Sequence, residues 1–475
     1  MLGRNPTAPA LKIFMREENL QIARRLDSFM TSSNILFYLQ GPPGVGKTKE
    51  SLIWLLHHVV QESNDPNRCA WIPLTKSEAA GGICQVYLLE RSVTNVAVSY
   101  SVYNTHNLPS DLETWGVKTV IFDNCNQGNR GIMDACLLVM GIKVIAVSSL
   151  AMKFDDSFSR HKAYAVNGWK ETEYIEACKD DLFYDSVKAA LQTGDFTEEE
   201  LNDAAARNEV VAAKYHLAGG CARWMFQYTA DELLAPDGSI ESIENYVNST
   251  EDEVITGFSG DRGSTKVNHL MSRIDGKAVI VSQYVANQLV IRHGESLLKK
   301  ALALLGKSNP AMDGVLMEMD FMLRLGRSKI KRRVSIDLVV ESGAEPVPLL
   351  DSGVNKHAFR LSTFDAVPFK VDDTDWLVPE IFNNGGFDCV QYCAGKLIFA
   401  QVTRSTTHSF NLKWYEKFRA AFIKKFPDQV LNGCEVWFIV DESLVGTFAP
   451  AKPAGKLVGF DKGTHKVVGM RRITA

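Results

Sequence analysis

Gly41-Pro42-Pro43-Gly44-Val45-Gly46-Lys47-Thr48 have the residue types and spacing needed to hold a chain of phosphates. Glycines let a backbone wrap an anion with its N–H groups turned inward. A helix that starts where the loop ends presents the positive end of its dipole to the same charge. Lys47 is placed to reach the β- and γ-phosphates, and the Thr48 hydroxyl to ligate Mg²⁺. The eight residues fill the P-loop pattern completely, so a nucleoside triphosphate, ATP first, is the expected ligand together with Mg²⁺. Such a site also needs an acid at the end of a neighbouring strand to hold the metal through water. Val120-Ile121-Phe122-Asp123 supplies one, and the residue after it is Asn124. Many ATPases of this kind carry a water-activating Glu there, so the sequence favours binding over rapid hydrolysis. Ser148 and Ser149 close a later apolar run, where a polar side chain would sense the γ-phosphate or simply end a strand.

These residues require a strand, a loop and a helix in that order. Ile35 to Leu39 is short and apolar and reads as a buried strand. After the loop, Leu52, Ile53, Leu55, Leu56, Val59 and Val60 mark a helix, and residues 11–31 carry an earlier amphipathic one. Further buried strands are expected at Gln85–Leu89, Lys118–Phe122 and Lys143–Val147. Strands alternating with helical patterns predict a parallel sheet with crossover helices. Residues 169–235 read as helical, broken at Gly194-Asp195 and Gly219-Gly220, and a polar stretch covers 239–275. A second strand-rich region begins near residue 309. It holds candidate strands at Val334–Val340, Phe387–Tyr392, Leu397–Val402 and Glu435–Val440, and a helix at Asn411–Phe426 with Trp414, Phe418, Ala421 and Phe422 on one face.

The chain is long enough for two or three domains, at 475 residues with 45% hydrophobic and 23% charged residues, and its formal net charge is -4. That charge excludes a globally basic polyanion binder, so any nucleic-acid surface must be local. Arg324, Arg327, Lys329, Lys331, Arg332 and Arg333 form such a cluster, which reads as a DNA or RNA phosphate contact, a nuclear import signal or a solvated loop. The nine cysteines are scattered and read as reduced core thiols. No apolar run approaches the roughly 20 residues of a membrane helix, and the first ten residues lack the apolar core of a signal peptide. An intracellular protein, nuclear or cytoplasmic, is therefore expected.

Four ordered features resemble the Crinkler effectors of oomycetes and fungi and the related trypanosome retrotransposon hot spot proteins. They are the P-loop with Asp123, the segment Gly168-Trp169-Lys170-Glu171-Thr172-Glu173-Tyr174, the pattern Gly219-Gly220-x-x-Arg223, and a C-terminal series of acids. The resemblance spans roughly residues 35–425. It implies an α/β chain: an AAA/STAND-like P-loop NTPase sheet with a helical subdomain, followed by a PD-(D/E)XK-like α/β domain. The corresponding boundaries are 1–34 for an N-terminal helix, 35–160 for the P-loop core, 161–300 for the helical subdomain and connector, and 301–475 for the nuclease-like domain. Arg223 takes a phosphate-sensing role by the same resemblance. Homo-oligomers are common among such ATPases. Crinklers begin with a ubiquitin-like translocation header, and nothing ahead of the P-loop resembles one, so secretion into a host is implied only by the resemblance and not by the sequence itself.

In PD-(D/E)XK nucleases, carboxylates hold the Mg²⁺ that activates water, and a lysine stabilises the developing charge. By order along the chain, Glu318 matches the helix glutamate and Asp388 the first strand acid and metal ligand. Gln401 and Thr403 stand where the second acid and the lysine belong. A Gln ligates Mg²⁺ only weakly. Lys413 or His408 would have to replace the lysine, their plainer readings being a helix-start residue and a solvated loop. The resemblance therefore implies either an ATP-gated nuclease or an ATP-gated switch that binds nucleic acid or a nuclear partner without cutting.

Overall fold

The structure is a computed structural model. It describes residues 14–470 apart from 62–67, 75–81, 92–95, 140, 150–151, 153–159, 236–242, 260–266, 275–276, 307–309, 327–336, 340–346, 349–355, 371–374, 381–385, 408–410, 453–454 and 461–464. The chain divides into two compact units, Met1–Val187 and Lys188–Ala475.

In the first unit the order is α1 (Glu17–Met30), β1 (Leu36–Gln40), α2 (Lys47–Gln61), β2 (Arg68–Pro73), β3 (Ile83–Arg91), β4 (Val96–Asn104), α3 (Leu108–Thr114), β5 (Val117–Cys125), α4 (Arg130–Leu137), β6 (Lys143–Ser148), β7 (His161–Ala165) and α5 (Glu171–Ala177). The sheet runs β4-β3-β2-β5-β6-β1-β7. Its last five strands are mutually parallel. β1 is buried at all five positions, because both of its faces are covered. Alternation along the strands splits the core in two. Leu36, Tyr38, Val120, Phe122, Val144 and Ala146 meet Leu112 of α3 and Met133 of α4 on one face. Phe37, Leu39, Ile121, Ile145 and Val147 meet Leu26 and Phe29 of α1 and Trp54 and Leu55 of α2 on the other.

One expectation is corrected here. The strand at Gln85–Leu89 is antiparallel to its neighbour β2 and continues into an antiparallel hairpin with β4. Only nine residues separate β2 from β3. A parallel crossover needs about a dozen or more, so the chain has to fold straight back.

The second unit begins within α6 (Asp181–Leu191) and continues through short helices α7 (Glu198–Asn202), α8 (Arg207–Ala218), α9 (Ala222–Phe226), α10 (Ala230–Leu234), α11 (Ile243–Val247), α12 (Glu251–Ser259) and α13 (Val267–Leu270). The expected polar stretch at 239–275 thus carries α11 to α13. A two-stranded ribbon, β8 (Met271–Ile274) and β9 (Lys277–Ile280), precedes the long helices α14 (Gln283–Ala301) and α15 (Pro310–Gly326). The strands β10 (Asp337–Val339), β11 (Val347–Pro348), β12 (Lys356–Phe359), β13 (Trp376–Pro379), β14 (Cys389–Cys393), β15 (Lys396–Thr403), β16 (Gly433–Asp441) and β17 (Lys466–Met470) follow, with α16 (Leu412–Lys425) between β15 and β16. They form one mixed sheet in the order β11-β10-β17-β16-β15-β14-β13-β12. α16 links β15 to its parallel neighbour β16 and buries Trp414, Tyr415, Phe418 and Phe422.

Gly219, the first glycine of the Gly-Gly pair, has a specific steric job. Its φ is +54°, and a Cβ there would run into the carbonyl of Val281, whose oxygen accepts the Gly220 N–H at 3.1 Å. All nine cysteines are free thiols. Among the described residues no helix is long and apolar enough to cross a membrane.

Candidate functional site

The loop Gly41–Gly46 leaves the carboxyl end of β1 and enters α2 at Lys47. Gly44 and Gly46 have φ of 75° and 102°, backbone that only glycine adopts without strain. A Cβ on Gly41 would press on Val166 at 3.0 Å, so that position is closed to side chains by packing. Pro42 and Val45 are buried and Pro43 is partly buried, which anchors the loop between its turns. Lys47 folds over the loop, its Nζ donating to the carbonyls of Gly41 at 2.9 Å and Pro42 at 2.7 Å.

Asp123 lies near the end of β5, and one strand, β6, separates β5 from β1. The Thr48 hydroxyl donates to Asp123 Oδ1 at 2.9 Å. Two residues 75 positions apart are thereby brought into direct contact. Burial raises the Asp123 carboxyl above its ordinary range, opposed by the bonds from Thr48 and the Asn124 backbone and by the Lys47 charge. A buried carboxylate beside a hydroxyl is an oxygen donor set suited to a hard divalent cation, whose charge would offset that burial. Thr48 and Asp123 are the residues that would hold Mg²⁺ here, the remaining ligands coming from phosphate and water.

Asn124 has φ 61°, a left-handed conformation that Asn tolerates better than most side chains. Its Nδ2 donates to Leu74 O at 2.9 Å, and its own carbonyl accepts Asn129 Nδ2 at 3.2 Å. It secures the turn between β5 and α4, and an amide cannot take a proton from water. Ser148 ends β6 beside the loop and accepts Gly41 N–H through its carbonyl at 3.3 Å. Its hydroxyl is buried and has no hydrogen-bond partner.

Behind the loop, Glu50 of α2 accepts from Asn19 of α1. Burial pushes the Glu50 carboxyl up to about 7 against the Arg16 charge and the Asn19 bond. Arg16 pairs with Glu173 at 3.0 Å, donates to Gly168 O at 3.1 Å and lies 4.8 Å over the Trp169 ring. The segment Gly168–Tyr174 is thus tied to α1, and α1 to the start of the P-loop helix. The segment stands out in the sequence, but its contacts with Arg16 do not, because nothing in residues 11–31 marks Arg16 as its partner.

The second unit holds a distinct acidic site. Glu318 on α15 and Asp388 just ahead of β14 are hydrogen-bonded to each other. Burial, reinforced for Glu318 by the Asp388 charge, raises both carboxyls well above the carboxylate range. Asp388 also accepts the Val402 N–H, and Asn287 of α14 bonds to Glu318. Gln401, 1% exposed, accepts the Tyr415 hydroxyl at 3.3 Å, and the same hydroxyl donates to Gly386 O at 3.1 Å. Asn287 and Tyr415 were missed in the sequence. Tyr415 lies three residues before Phe418 on the apolar stripe of α16, a signal that helical spacing alone contains; Asn287 carries none.

Other expected residues are placed as follows. Thr403 closes β15 and accepts the Ser405 N–H at 3.1 Å. Lys413 is directed to acids of the helical region, Glu209 at 2.9 Å and Glu200 at 3.5 Å, so its ammonium is already engaged there. Arg404, next to Thr403, bridges Asp313 and Asp441, the latter at 2.8 Å. His408 lies outside the described residues. Arg223 is exposed on α9 in the second unit. Arg324 is nearly buried and paired with Asp320 on its own helix at 2.7 Å, which removes it from any phosphate-facing cluster. Arg327, Lys329, Lys331, Arg332 and Arg333 lie outside the described residues. Among the described residues no group of three or more His, Cys, Asp and Glu side chains gathers to hold a metal.

No family model matches the chain, and no curated protein matches it. Among solved structures it is similar to Drosophila ORC bound to DNA, at 11% identity over 56% of this chain and 73% of that one, with a TM-score of 0.25. It is also similar to C. elegans PCH-2, at 10% identity over 53% of this chain and 63% of that one, with a TM-score of 0.24. Likenesses at these TM-scores carry no argument about this chain.

Proposed function

We propose that the first unit binds ATP with Mg²⁺ at Gly41–Thr48 and that the bound nucleotide controls the second unit. The observation that carries this reading is the 2.9 Å contact between Thr48 and Asp123 at the mouth of a glycine loop of the right conformation. The backbone N–H groups of the loop and the head of α2 would cradle phosphates, and Lys47 would exchange its loop carbonyls for phosphate oxygens. The unpartnered Ser148 hydroxyl is a polar group awaiting a partner beside that loop. With Asn124 committed to its turn, turnover is slow and the site serves as a switch. The parallel sheet with β6 between the P-loop strand and the Asp123 strand supports an AAA/STAND-like module, and with it the Crinkler and retrotransposon hot spot kinship.

The second unit is read as a PD-(D/E)XK-like fold that acts on or binds nucleic acid, with Glu318 and Asp388 as its acids. A specific observation favours binding without cleavage. Gln401 brings no charge and is held by Tyr415, and burial disfavours the charged form of both acids, so cation affinity at this site is low. Paired assays decide between the two. Mg²⁺-dependent cleavage of DNA and RNA is measured with and without ATP for the parent, Lys47→Ala and Asp388→Ala. Cleavage by the parent that Asp388→Ala abolishes establishes the nuclease. Nucleic-acid binding that responds to ATP only when Lys47 is intact, with no cleavage, establishes the switch.

A further inference from the structure

β4 is an edge strand of the first sheet, and its sequence is built to meet itself. We propose that the chain forms a two-fold dimer in which β4 pairs antiparallel with β4 of a second copy, centred on Tyr100. This inference is independent of the nucleotide reading.

Among the described residues nothing pairs with the outer side of β4. Edge strands are ordinarily protected by charge, proline or bulges. Val96–Asn104 (VAVSYSVYN) has no Asp, Glu, Lys, Arg or Pro, and its nine-residue register with β3 is unbroken. Tyr100 and Val102 are each more than half exposed. The ion pair of Arg68 with Glu90 at 2.7 Å, one strand in from the edge, is internally neutral.

The centre of the strand reads the same in both directions: Val98-Ser99-Tyr100-Ser101-Val102. An antiparallel self-pairing about Tyr100 therefore sets Val98 against Val102 of the second copy, Ser99 against Ser101, and Tyr100 against itself. The backbone agrees with this register. Thr105 N–H donates to the carbonyl of Gly82 at 2.9 Å, and those two residues are directly opposed in the β3–β4 register. N–H and C=O of one residue point to the same side, and the side alternates along the strand. Thr105, Tyr103, Ser101 and Ser99 therefore address β3, while Asn104, Val102, Tyr100, Val98 and Val96 address the open edge. Every outward residue would meet an outward residue across the two-fold axis, as a hydrogen-bonded pair. A dyad falling between two residues would oppose outward with inward residues and form no such bonds, and of the residue-centred registers only the one on Tyr100 matches the palindrome.

The side chains continue the same pattern. Trp71 and Tyr87 lie 5.1 Å apart, as do Tyr87 and Tyr100, a row of rings crossing β2, β3 and β4 on one face. Two copies joined at Tyr100 would extend it through the dyad. Cross-strand aromatic and β-branched pairs are among the more stabilising ones in sheets.

The test is sedimentation of the full chain over a wide concentration range, comparing the parent with Tyr100→Lys and Tyr100→Pro. Lysine places two ammonium groups on the dyad. Proline removes an N–H that no bond among the described residues uses, so it leaves the β3–β4 ladder intact. The parent is expected to show a monomer–dimer equilibrium, and each variant to raise its dissociation constant by about tenfold or more with an unchanged circular dichroism spectrum. Tyr100→Cys under mild oxidation supplies a second readout. It should give a disulfide-linked dimer, which the parent and Ser99→Cys do not form. A parent that stays monomeric, a dimer indifferent to Lys and Pro at 100, or no Tyr100→Cys cross-link overturns the proposal.

Discussion

Raising the pH from about 5 to about 7 is expected to weaken the contribution of Glu318 and Asp388 to the second unit, because burial holds both carboxyls above the range they have in the unfolded chain. Both carboxyls are raised by burial, and the Asp388 charge adds to the shift on Glu318. Free carboxyls titrate near 4, so above that pH the folded state binds more protons than the unfolded state. The contribution of the pair is then largest at the acid end of the window and falls as pH rises, opposed up to about pH 6.5 by His216, which burial pushes down to about 3. Each retained proton is worth about 1.4 kcal/mol per pH unit, so one retained across two units costs about 3 kcal/mol. Glu435 behaves oppositely: despite burial, Lys396 and Lys466 hold its carboxyl down at about 2. Its contribution is lost only as pH falls below about 4, outside the window. The assay is denaturant unfolding at a series of pH values for the parent, Glu318→Gln and Asp388→Asn. The difference between variant and parent should change by about 1 kcal/mol per pH unit, the parent being the more pH-sensitive. Parallel pH profiles for all three proteins would show that neither carboxyl is raised in the folded chain and would refute the reasoning.

Gly219→Ala should destabilise the second unit by about 3 kcal/mol or more, since its Cβ meets the Val281 carbonyl and its φ is positive; a thermal melt checks this. Tyr415→Phe removes the hydroxyl that donates to the buried Gln401 and Gly386 oxygens and should cost about 1–3 kcal/mol in the same measurement. Asn124→Ala loses the bond to Leu74 and a tolerated left-handed residue, and should cost about 1–2 kcal/mol, read by denaturant midpoint.

The parallel strands around the P-loop are legible from sequence because they are short apolar runs with nowhere to go but a covered sheet. β1, β5 and β6 carry five or more consecutive buried residues. β4 and β7 are less legible. β4 alternates small, polar and aromatic residues along an exposed edge, and β7 (HKAYA) is only partly buried. The contact of Thr48 with Asp123 could be anticipated, since phosphate and metal chemistry demands both residues at the ends of nearby strands. The partners of Lys413 and Arg324 could not. Glu209, Glu200 and Asp320 are ordinary surface-type acids in sequence, and only tertiary packing decides which cation each one takes. The same holds for Asn287, brought to Glu318 by the packing of α14 on α15.

Calorimetric titration of the full chain with ATP, in the presence and absence of Mg²⁺, tests the central claim most directly. The parent should bind ATP more tightly with Mg²⁺ than without it. Lys47→Ala should lose binding under both conditions, while Asp123→Ala should keep Mg²⁺-free binding and lose the gain from the metal. ATP binding that is absent from the parent, or that Lys47→Ala leaves intact, would contradict the account.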